Sequence, residues 1–298
     1  MSTSMTVASF AATPPTIQSL IANIPRALGS YGPILQEVET VLADSQSSLI
    51  HLGAVIEQDP DLTARLLRLG NSAFYGFPTR LETVSEAVGL IGIQQVQDLI
   101  SASNVMDTFS GVNPDFVNME SFWRHSLACG IGARILAIEK RMPKPEKFFV
   151  AGLLHDAGRL VLYSQAPQLA ETIMERAQQK RMLMREAEME VLGFDHAQIG
   201  EALLRSWFYP PNLVHAVANH HRPQSSEAYK IEAAIVHLSD CLVNAMELGS
   251  SGEHHAPPLQ TRAWQLLNRE LSVLESTINA IDDQIEAVQE VFLRSKRN

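Results

Sequence analysis

Residues 56–76 of this 298-residue chain read Ile56-Glu-Gln-Asp-Pro-Asp-Leu-Thr-Ala-Arg-Leu-Leu-Arg-Leu-Gly-Asn-Ser-Ala-Phe-Tyr-Gly76. Asp59 can cap a helix with its side chain, and Pro60 suits the first helical position because no backbone N–H is needed there. The leucines that follow recur every three or four residues, which is the period of an amphipathic helix. This stretch therefore predicts a capped helix that ends near Asn71.

Helical signals of the same kind recur along the rest of the chain. Thr83 and Glu86 have the spacing of a capping box ahead of another apolar run. Further helices are predicted at about 119–140, 145–164, 167–180, 195–206, 210–221, 228–248 and 270–293, with prolines in several of the gaps. Because no run of strict alternation favours a strand, the predicted fold is all-α.

Turn-forming residues divide the chain into four predicted parts. The stretch Phe109-Ser-Gly-Val-Asn-Pro-Asp115 carries Gly, Asn and Pro and is the predicted boundary between two helical lobes. The predicted parts are an N-terminal tail (1–16), an N-terminal helical lobe (17–112), a second helical lobe (113–249), and a loop with C-terminal helices (250–298). The expected architecture is a two-lobed helical bundle.

The charge balance excludes nucleic acid as the principal partner. Lys and Arg total 23 and Asp and Glu total 33, so the net charge is −10. Residues 1–120 alone carry a net charge of −8, with four Arg and no Lys. Proteins that bind a phosphate backbone need clustered cations to release its counterions.

Three further features predict a cytoplasmic protein that does not span a membrane. The chain has two cysteines, too few for a disulfide scaffold. Its apolar runs are shorter than the ~18 residues that a membrane span needs. No cation precedes Arg26, whereas a signal peptide begins with a charged region.

Histidine is concentrated in the second half of the chain. Nine of the ten histidines lie between His125 and His255. Since histidine is the commonest metal ligand, any metal chemistry is expected there. The candidate ligands are His125, His155, Asp156, His196, His220, His221 and Asp240. Imidazole and carboxylate suit zinc, iron, manganese or nickel, and seven ligands exceed the four that one closed zinc site takes. One or two divalent ions are therefore expected.

The adjacent pair His155-Asp156 follows an apolar run and is flanked by Gly152 and Gly158. Neighbouring residues of a helix point about 100° apart, so the two side chains can approach an ion from different directions. Arg159 lies four residues after His155 and is expected on the same helix face, where it would contact a bound anion.

Each candidate also has a structural interpretation when it is taken alone. A single helical histidine is more often part of the packing than a ligand. Cys129, one turn after His125, and Cys241, next to Asp240, could ligate as thiolates, although free cysteine is usually a small buried apolar residue.

The order of the candidate ligands resembles that of the HD superfamily of metal-dependent phosphohydrolases, which use a His, a His-Asp pair and a later Asp on an all-α scaffold. The segment Ala151-Gly-Leu-Leu-His-Asp-Ala-Gly-Arg-Leu160 is similar to the central motif of that superfamily. His196 and the pair His220-His221 resemble the extra ligands of its HD-GYP branch, which hydrolyses cyclic di-GMP. The chain departs from that branch because Arg-Pro-Gln follows His221 in place of a Gly-Tyr-Pro loop, and Arg159 stands where relatives often carry Lys.

The resemblance is more specific upstream, where residues 56–76 and Glu86-Ala-Val-Gly-Leu-Ile-Gly92 resemble the HDOD domain, the HD-related output domain of bacterial signalling proteins. The segment from Asp195 to Trp207, followed by Pro210, is also similar. The resemblance covers about residues 17–245 and implies an all-helical signalling protein, with an HD-like lobe at 113–249.

Two functions follow as hypotheses. The first is a bacterial signalling protein that acts through protein partners, with an HD-type site that binds metal but does not hydrolyse cyclic di-GMP efficiently. The alternative is a metal-dependent phosphohydrolase in which Asp156 and Arg159 are catalytic. In that case one ion would be bound by His125, His155, Asp156 and Asp240. A second ion would be bound by His196, His220 and His221. An intermediate interpretation is a receptor that binds a cyclic nucleotide messenger without cleaving it.

Overall fold

The computed structural model describes residues 15–25, 37–38, 40–41, 48–113, 116–225 and 228–293. Within these ranges the regular structure is helical and no strand occurs, so the predicted all-α fold is confirmed. The predicted tail (1–16) lies almost wholly outside the described residues, as do Pro114 and Asp115 at the predicted lobe boundary.

The first part of the chain forms short helices whose starts match the sequence signals. Asp59 accepts hydrogen bonds from the backbone of Asp61 and Leu62, at 2.9 and 3.0 Å. Thr83 and Glu86 form the predicted capping box. The helices are α1 (Ile17–Ile21), α2 (Leu49–Ile56), α3 (Pro60–Gly70), α4 (Val84–Ile91) and α5 (Ile93–Thr108).

The second part contains the helices that carry the candidate ligands. They are α6 (Met119–Glu139), α7 (Glu146–Leu154), α8 (Ala157–Gln165), α9 (Pro167–Lys180), α10 (Met184–Leu192), α11 (His196–Ser206), α12 (Pro211–Ala218) and α13 (Lys230–Ala245). Two C-terminal helices follow, α14 (Thr261–Leu267) and α15 (Ser272–Leu293).

The single helix predicted over 145–164 is wrong, because the chain breaks at His155 and Asp156. Helix α7 ends at Leu154 and α8 begins at Ala157, with Asp156 at φ −99° and ψ 10°. A Cβ at Gly152 would meet the α6 backbone at Cys129, whereas one at Gly158 would meet the His196 carbonyl of α11. The break therefore lies between two close approaches, one of α7 to α6 and one of α8 to α11.

The buried side chains form a large core that includes residues of α1, α3 and α5 as well as the second part, and a smaller core among α2–α5. A third cluster lies where α14 and the start of α15 pack on α6, α7 and α13. Phe74, near the end of residues 56–76, belongs to the large core and packs edge-on against Phe149 at 5.0 Å between ring centroids. The guanidinium of Arg134 lies 4.3 Å from the centre of the Phe74 ring. The two parts are therefore joined by an aromatic and cationic contact next to α6 and α7.

Within the described ranges, no helix has both the length and the apolar character that crossing a membrane requires.

Candidate metal centre

The structure brings all seven candidate ligands to one place from five segments of the chain. His125 lies in α6, His155 and Asp156 at the α7–α8 break, and His196 at the first position of α11. The remaining ligands come from the turn that follows α12 and from α13, namely His220, His221 and Asp240. Six of the seven side chains belong to residues no more than 3% exposed, and His221 is half-buried.

Four residues form a first ligand group: His125, Cys129, His155 and Asp240. Each offers one ligand atom, and these atoms all lie within 4.8 Å of one another. Asp240 Oδ1 lies 3.4 Å from His125 Nε2 and 3.6 Å from His155 Nε2. The amide of Asn244 donates to the same carboxylate oxygen at 2.6 Å and so orients it.

Three histidines form a second ligand group: His196, His220 and His221. Their ligand atoms also lie within 4.8 Å of one another, and the Nε2 atoms of His196 and His221 are 2.8 Å apart. Two imidazole nitrogens this close either share a proton or face a common cation.

Asp156 lies between the two groups. Its Oδ2 is 3.2 Å from His155 Nε2, whereas its Oδ1 is 3.0 Å from His196 Nε2 and 4.0 Å from His220 Nε2. One carboxylate can therefore face both ligand groups, which is the arrangement that a pair of ions would use.

The Nδ1 atoms of His155 and His220, which point away from the centre, are held by hydrogen bonds. His155 Nδ1 lies 2.6 Å from the carbonyl oxygen of Gly152, and His220 Nδ1 lies 2.6 Å from that of Val217. A carbonyl only accepts, so each Nδ1 carries the proton. Second partners of this kind orient metal-ligating histidines. The Nε2 atoms of both residues are buried and have no hydrogen-bond partner among the described residues, so the site fits a metal ion.

The pKa values within the centre diverge. Burial alone would lower the pKa of His155, but the carboxylates of Asp156 and Asp240 outweigh burial and raise it to about 10. Burial and the neighbouring His155 and His196 lower the pKa of His220 to about 3. Burial also opposes ionisation of Asp156, yet Arg159 and two histidines hold its pKa well below the ordinary value. Without a metal, Asp156 is therefore ionised and His220 is neutral, whereas His155 is protonated and would release that proton when a metal binds.

Arg159 does not share a helix face with His155, because the two residues lie on opposite sides of the α7–α8 break. Its buried guanidinium is surrounded by carboxylates instead. Nε lies 3.5 Å from Asp156 Oδ1 and 4.0 Å from Glu188 Oε1, and Nη2 lies 3.5 Å from Glu253 Oε2. Nη1 also donates to Ser251 Oγ at 3.0 Å.

Two carboxylates near Arg159, Glu188 and Glu253, were not predicted as site residues. Glu188 is fully buried and accepts from the backbone N–H of His196 at 2.8 Å. Glu188 lies among Met184, Ala187 and Leu192 on the apolar face of α10. Because charged residues are rarely buried without a partner, an acid at such a position indicates a functional or paired carboxylate and could have been found from the sequence. Glu253 accepts a hydrogen bond from the backbone N–H of Met184 at 3.0 Å. The sequence around Glu253 has no pattern that would identify it as a site residue.

Neither ligand group includes Cys241, His237, His254 or His255. His237 Nε2 accepts a hydrogen bond from the backbone of Gln260 at 2.9 Å, and Cys241 lies beside His237. His254 and His255 are exposed. Among the described residues, metal-ligand groupings occur only where the seven candidates converge, with Cys129 in addition.

Comparison with known proteins agrees with this fold. A structure of an HDOD domain protein from Geobacter sulfurreducens superposes with a TM-score of 0.73 and 22% identity, covering 93% of this chain and 97% of that one. A structure from Shewanella amazonensis, provisionally named a phosphohydrolase, gives a TM-score of 0.68 and 25% identity, covering 90% of this chain and 94% of that one.

A sequence relative is an uncharacterized protein of Treponema pallidum (strain Nichols), 26% identical over 203 residues. The match takes in 66% of this chain but only 38% of that protein. The sequence model of the HDOD domain matches residues 28–223. Because this match spans well over half of the chain, the chain belongs to the HDOD domain family.

Proposed function

We propose that this chain is a cytoplasmic signalling protein that acts through protein partners, and that its buried centre holds one or two divalent metal ions. The observation that carries the proposal is the burial of the ligands, six of which are at most 3% exposed. A substrate phosphate has to reach the ions before it can be hydrolysed. A closed centre therefore suits a regulatory role better than rapid turnover.

The environment of Arg159 supports the same proposal. The alternative function needs this cation to contact a substrate phosphate, but three carboxylates and the Ser251 hydroxyl already surround its guanidinium. A buried cation that is neutralised by the protein has little left to offer a second anion. We therefore assign Arg159 to positioning Asp156 and Glu188.

A divalent ion bound here would act as a Lewis acid and would connect the helices that supply its ligands. The chain's own residues prepare the centre for it. The carbonyls of Gly152 and Val217 and the carboxylate of Glu188 hold three imidazoles with Nε2 inward. Asp156 faces both ligand groups, and Asn244 orients Asp240. Iron, manganese, zinc and nickel all accept such ligands.

The partner surface is proposed to lie on the N-terminal lobe. Residues 1–120 carry a net charge of −8, which favours a partner with a basic surface. The family membership supports a signalling role.

A metal-dependent phosphohydrolase is the second candidate function, and the position of Asp156 favours it. A carboxylate shared by two ligand groups is suited to a pair of ions that activate water. The half-buried His221 marks the side from which a small substrate could approach.

The test is the metal content of untagged protein purified without oxygen or chelator, measured by elemental mass spectrometry. We expect one or two ions per chain in the wild type and a loss in Asp156→Asn, with circular dichroism confirming that both are folded. A folded wild type without metal would contradict the metal centre.

The same metal-loaded protein is then assayed against a panel of nucleotides and cyclic dinucleotides. We expect no turnover. Turnover that disappears in Asp156→Asn would replace the proposal with the second candidate, whereas binding without turnover would identify a messenger receptor.

A further inference from the structure

Cys129 lies one helical turn after His125 in α6, is fully buried, and has its Sγ 3.6 Å from His125 Nε2. We propose that the Cys129 thiolate binds the ion of the first ligand group, together with His125, His155 and Asp240, and that this set selects zinc. The inference deepens the proposed metal centre and rests on it. As the metal–sulfur bond forms, the thiol proton leaves to solvent.

Three of the six separations between ligand atoms of the first group are those expected around a tetrahedral zinc ion. Zinc binds nitrogen, oxygen and sulfur at about 2.0–2.3 Å, so its ligand atoms lie about 3.3–3.6 Å from one another. Cys129 Sγ is 3.6 Å from His125 Nε2, and Asp240 Oδ1 is 3.4 Å from His125 Nε2 and 3.6 Å from His155 Nε2. The first ligand group is therefore close to the size that zinc requires.

The backbone around Cys129 fixes the positions of the other ligands. A Cβ at Gly152 would meet the Cys129 carbonyl, so α7 packs directly on α6 just before it delivers His155. The hydroxyl of Ser239 donates to that carbonyl at 2.7 Å, which anchors α13 one residue before Asp240. The three helices that supply the four ligands thus meet at the Cys129 peptide.

An independent observation points to a missing ligand at this place. His155 Nε2 is fully buried and faces the carboxylates of Asp156 and Asp240 at 3.2 and 3.6 Å, yet it forms no hydrogen bond with any described residue. A buried polar atom without a hydrogen bond is costly unless something else binds it. A metal ion would satisfy that nitrogen and the Cys129 sulfur together.

The thiolate makes the two ligand groups chemically different. Sulfur favours zinc and other borderline or soft ions over magnesium and manganese. A set of four protein ligands is typical of structural zinc, whereas the second group offers three histidines and so leaves a position for another ligand. The first ion would hold the helices together, and the second would remain open to exchange.

The chain provides a matched control in Cys241. It also lies one turn after a histidine, with Sγ 3.6 Å from His237 Nε2. However, that nitrogen accepts a hydrogen bond from the backbone of Gln260, and neither residue belongs to a ligand grouping among the described residues.

The experiment adds Co²⁺ to the metal-free full chain and records the near-ultraviolet spectrum, where thiolate bound to cobalt gives a charge-transfer band. We expect the band in the wild type and in Cys241→Ser and its loss in Cys129→Ser. Competition with a zinc chelator should show zinc affinity lower by about tenfold or more in Cys129→Ser.

Cobalt binding without the band, or a band that persists in Cys129→Ser, would overturn thiolate ligation while leaving the metal centre intact. Failure of the wild type to bind either cobalt or zinc would overturn the metal centre itself and, with it, this inference. If Cys129→Ser does not fold, X-ray absorption of the zinc-loaded Cys241→Ser protein shows whether zinc has a sulfur ligand. A sulfur neighbour at about 2.3 Å supports the proposal, and nitrogen and oxygen alone contradict it.

Discussion

Glu188 Oε2 lies 2.6 Å from His196 Nδ1 and 2.8 Å from the His196 backbone nitrogen. The same carboxylate group faces Arg159, at 4.0 Å from its Nε. Glu188 therefore orients the His196 imidazole so that Nε2 points to Asp156, as a carboxylate partner does for many metal-binding histidines.

Glu188→Gln is expected to weaken metal binding at the second ligand group by about tenfold to a hundredfold, because the orienting carboxylate is lost. Titration of metal-free protein against a competing chelator measures this. Glu190→Gln is the control on the same helix, since Glu190 pairs with Arg176 and Lys180 at the surface. Equal affinities in the two variants would contradict the role of Glu188.

Arg159→Met is expected to lower the free energy of unfolding by about 3–5 kcal/mol, because it leaves buried carboxylates without their cation. Urea denaturation of the metal-free protein measures the change. The control is Arg176→Met, which removes an exposed ion pair with Glu190 and should change the free energy of unfolding much less. A loss no larger than the control's would show that the Arg159 cluster contributes little.

Gly158→Ala is expected to destabilise the protein by about 1–3 kcal/mol or more, because the new Cβ would collide with the His196 carbonyl where α8 crosses α11. Gly111→Ala is the matched control, since a Cβ there would meet nothing within 4 Å. Thermal unfolding of both variants tests the difference. A tolerated Gly158→Ala would mean that α8 can shift away from His196 without cost.

The Glu86 carboxylate should make the stability of the N-terminal lobe depend on pH. It accepts hydrogen bonds from the backbone of Glu82 and Thr83, which lower its pKa below the ordinary 4.5. Since the folded pKa is the lower one, its contribution is complete above pH 4.5 and is lost as the pH falls through the folded pKa.

The test of this pH dependence is urea denaturation of wild type and Glu86→Gln, from neutral pH downward. The wild type should be the more stable protein above pH 4.5, and the difference should shrink as the pH falls below that value. A difference that does not change with pH would rule out the carboxylate as its source.

Much of the fold was predictable because helix starts depend on atoms a few residues apart. Asp59 caps α3 through the two residues that follow Pro60, and Thr83 caps α4 through Glu86. The all-α class followed from such local signals. The break at His155 and Asp156 was not predictable, because it arises from close packing of α7 on α6 and of α8 on α11.

The sequence by itself determined the types of ligand and their order along the chain, since these are properties of the residues and of their local helices. Only the tertiary structure decided that five separate segments converge, that His125 and Cys129 meet His155 and Asp240, and that carboxylates surround Arg159. Glu253 meets Arg159 through a contact between segments far apart in the chain. Contacts of this kind depend on how helices pack, and helical periodicity defines which face packs without specifying its partner.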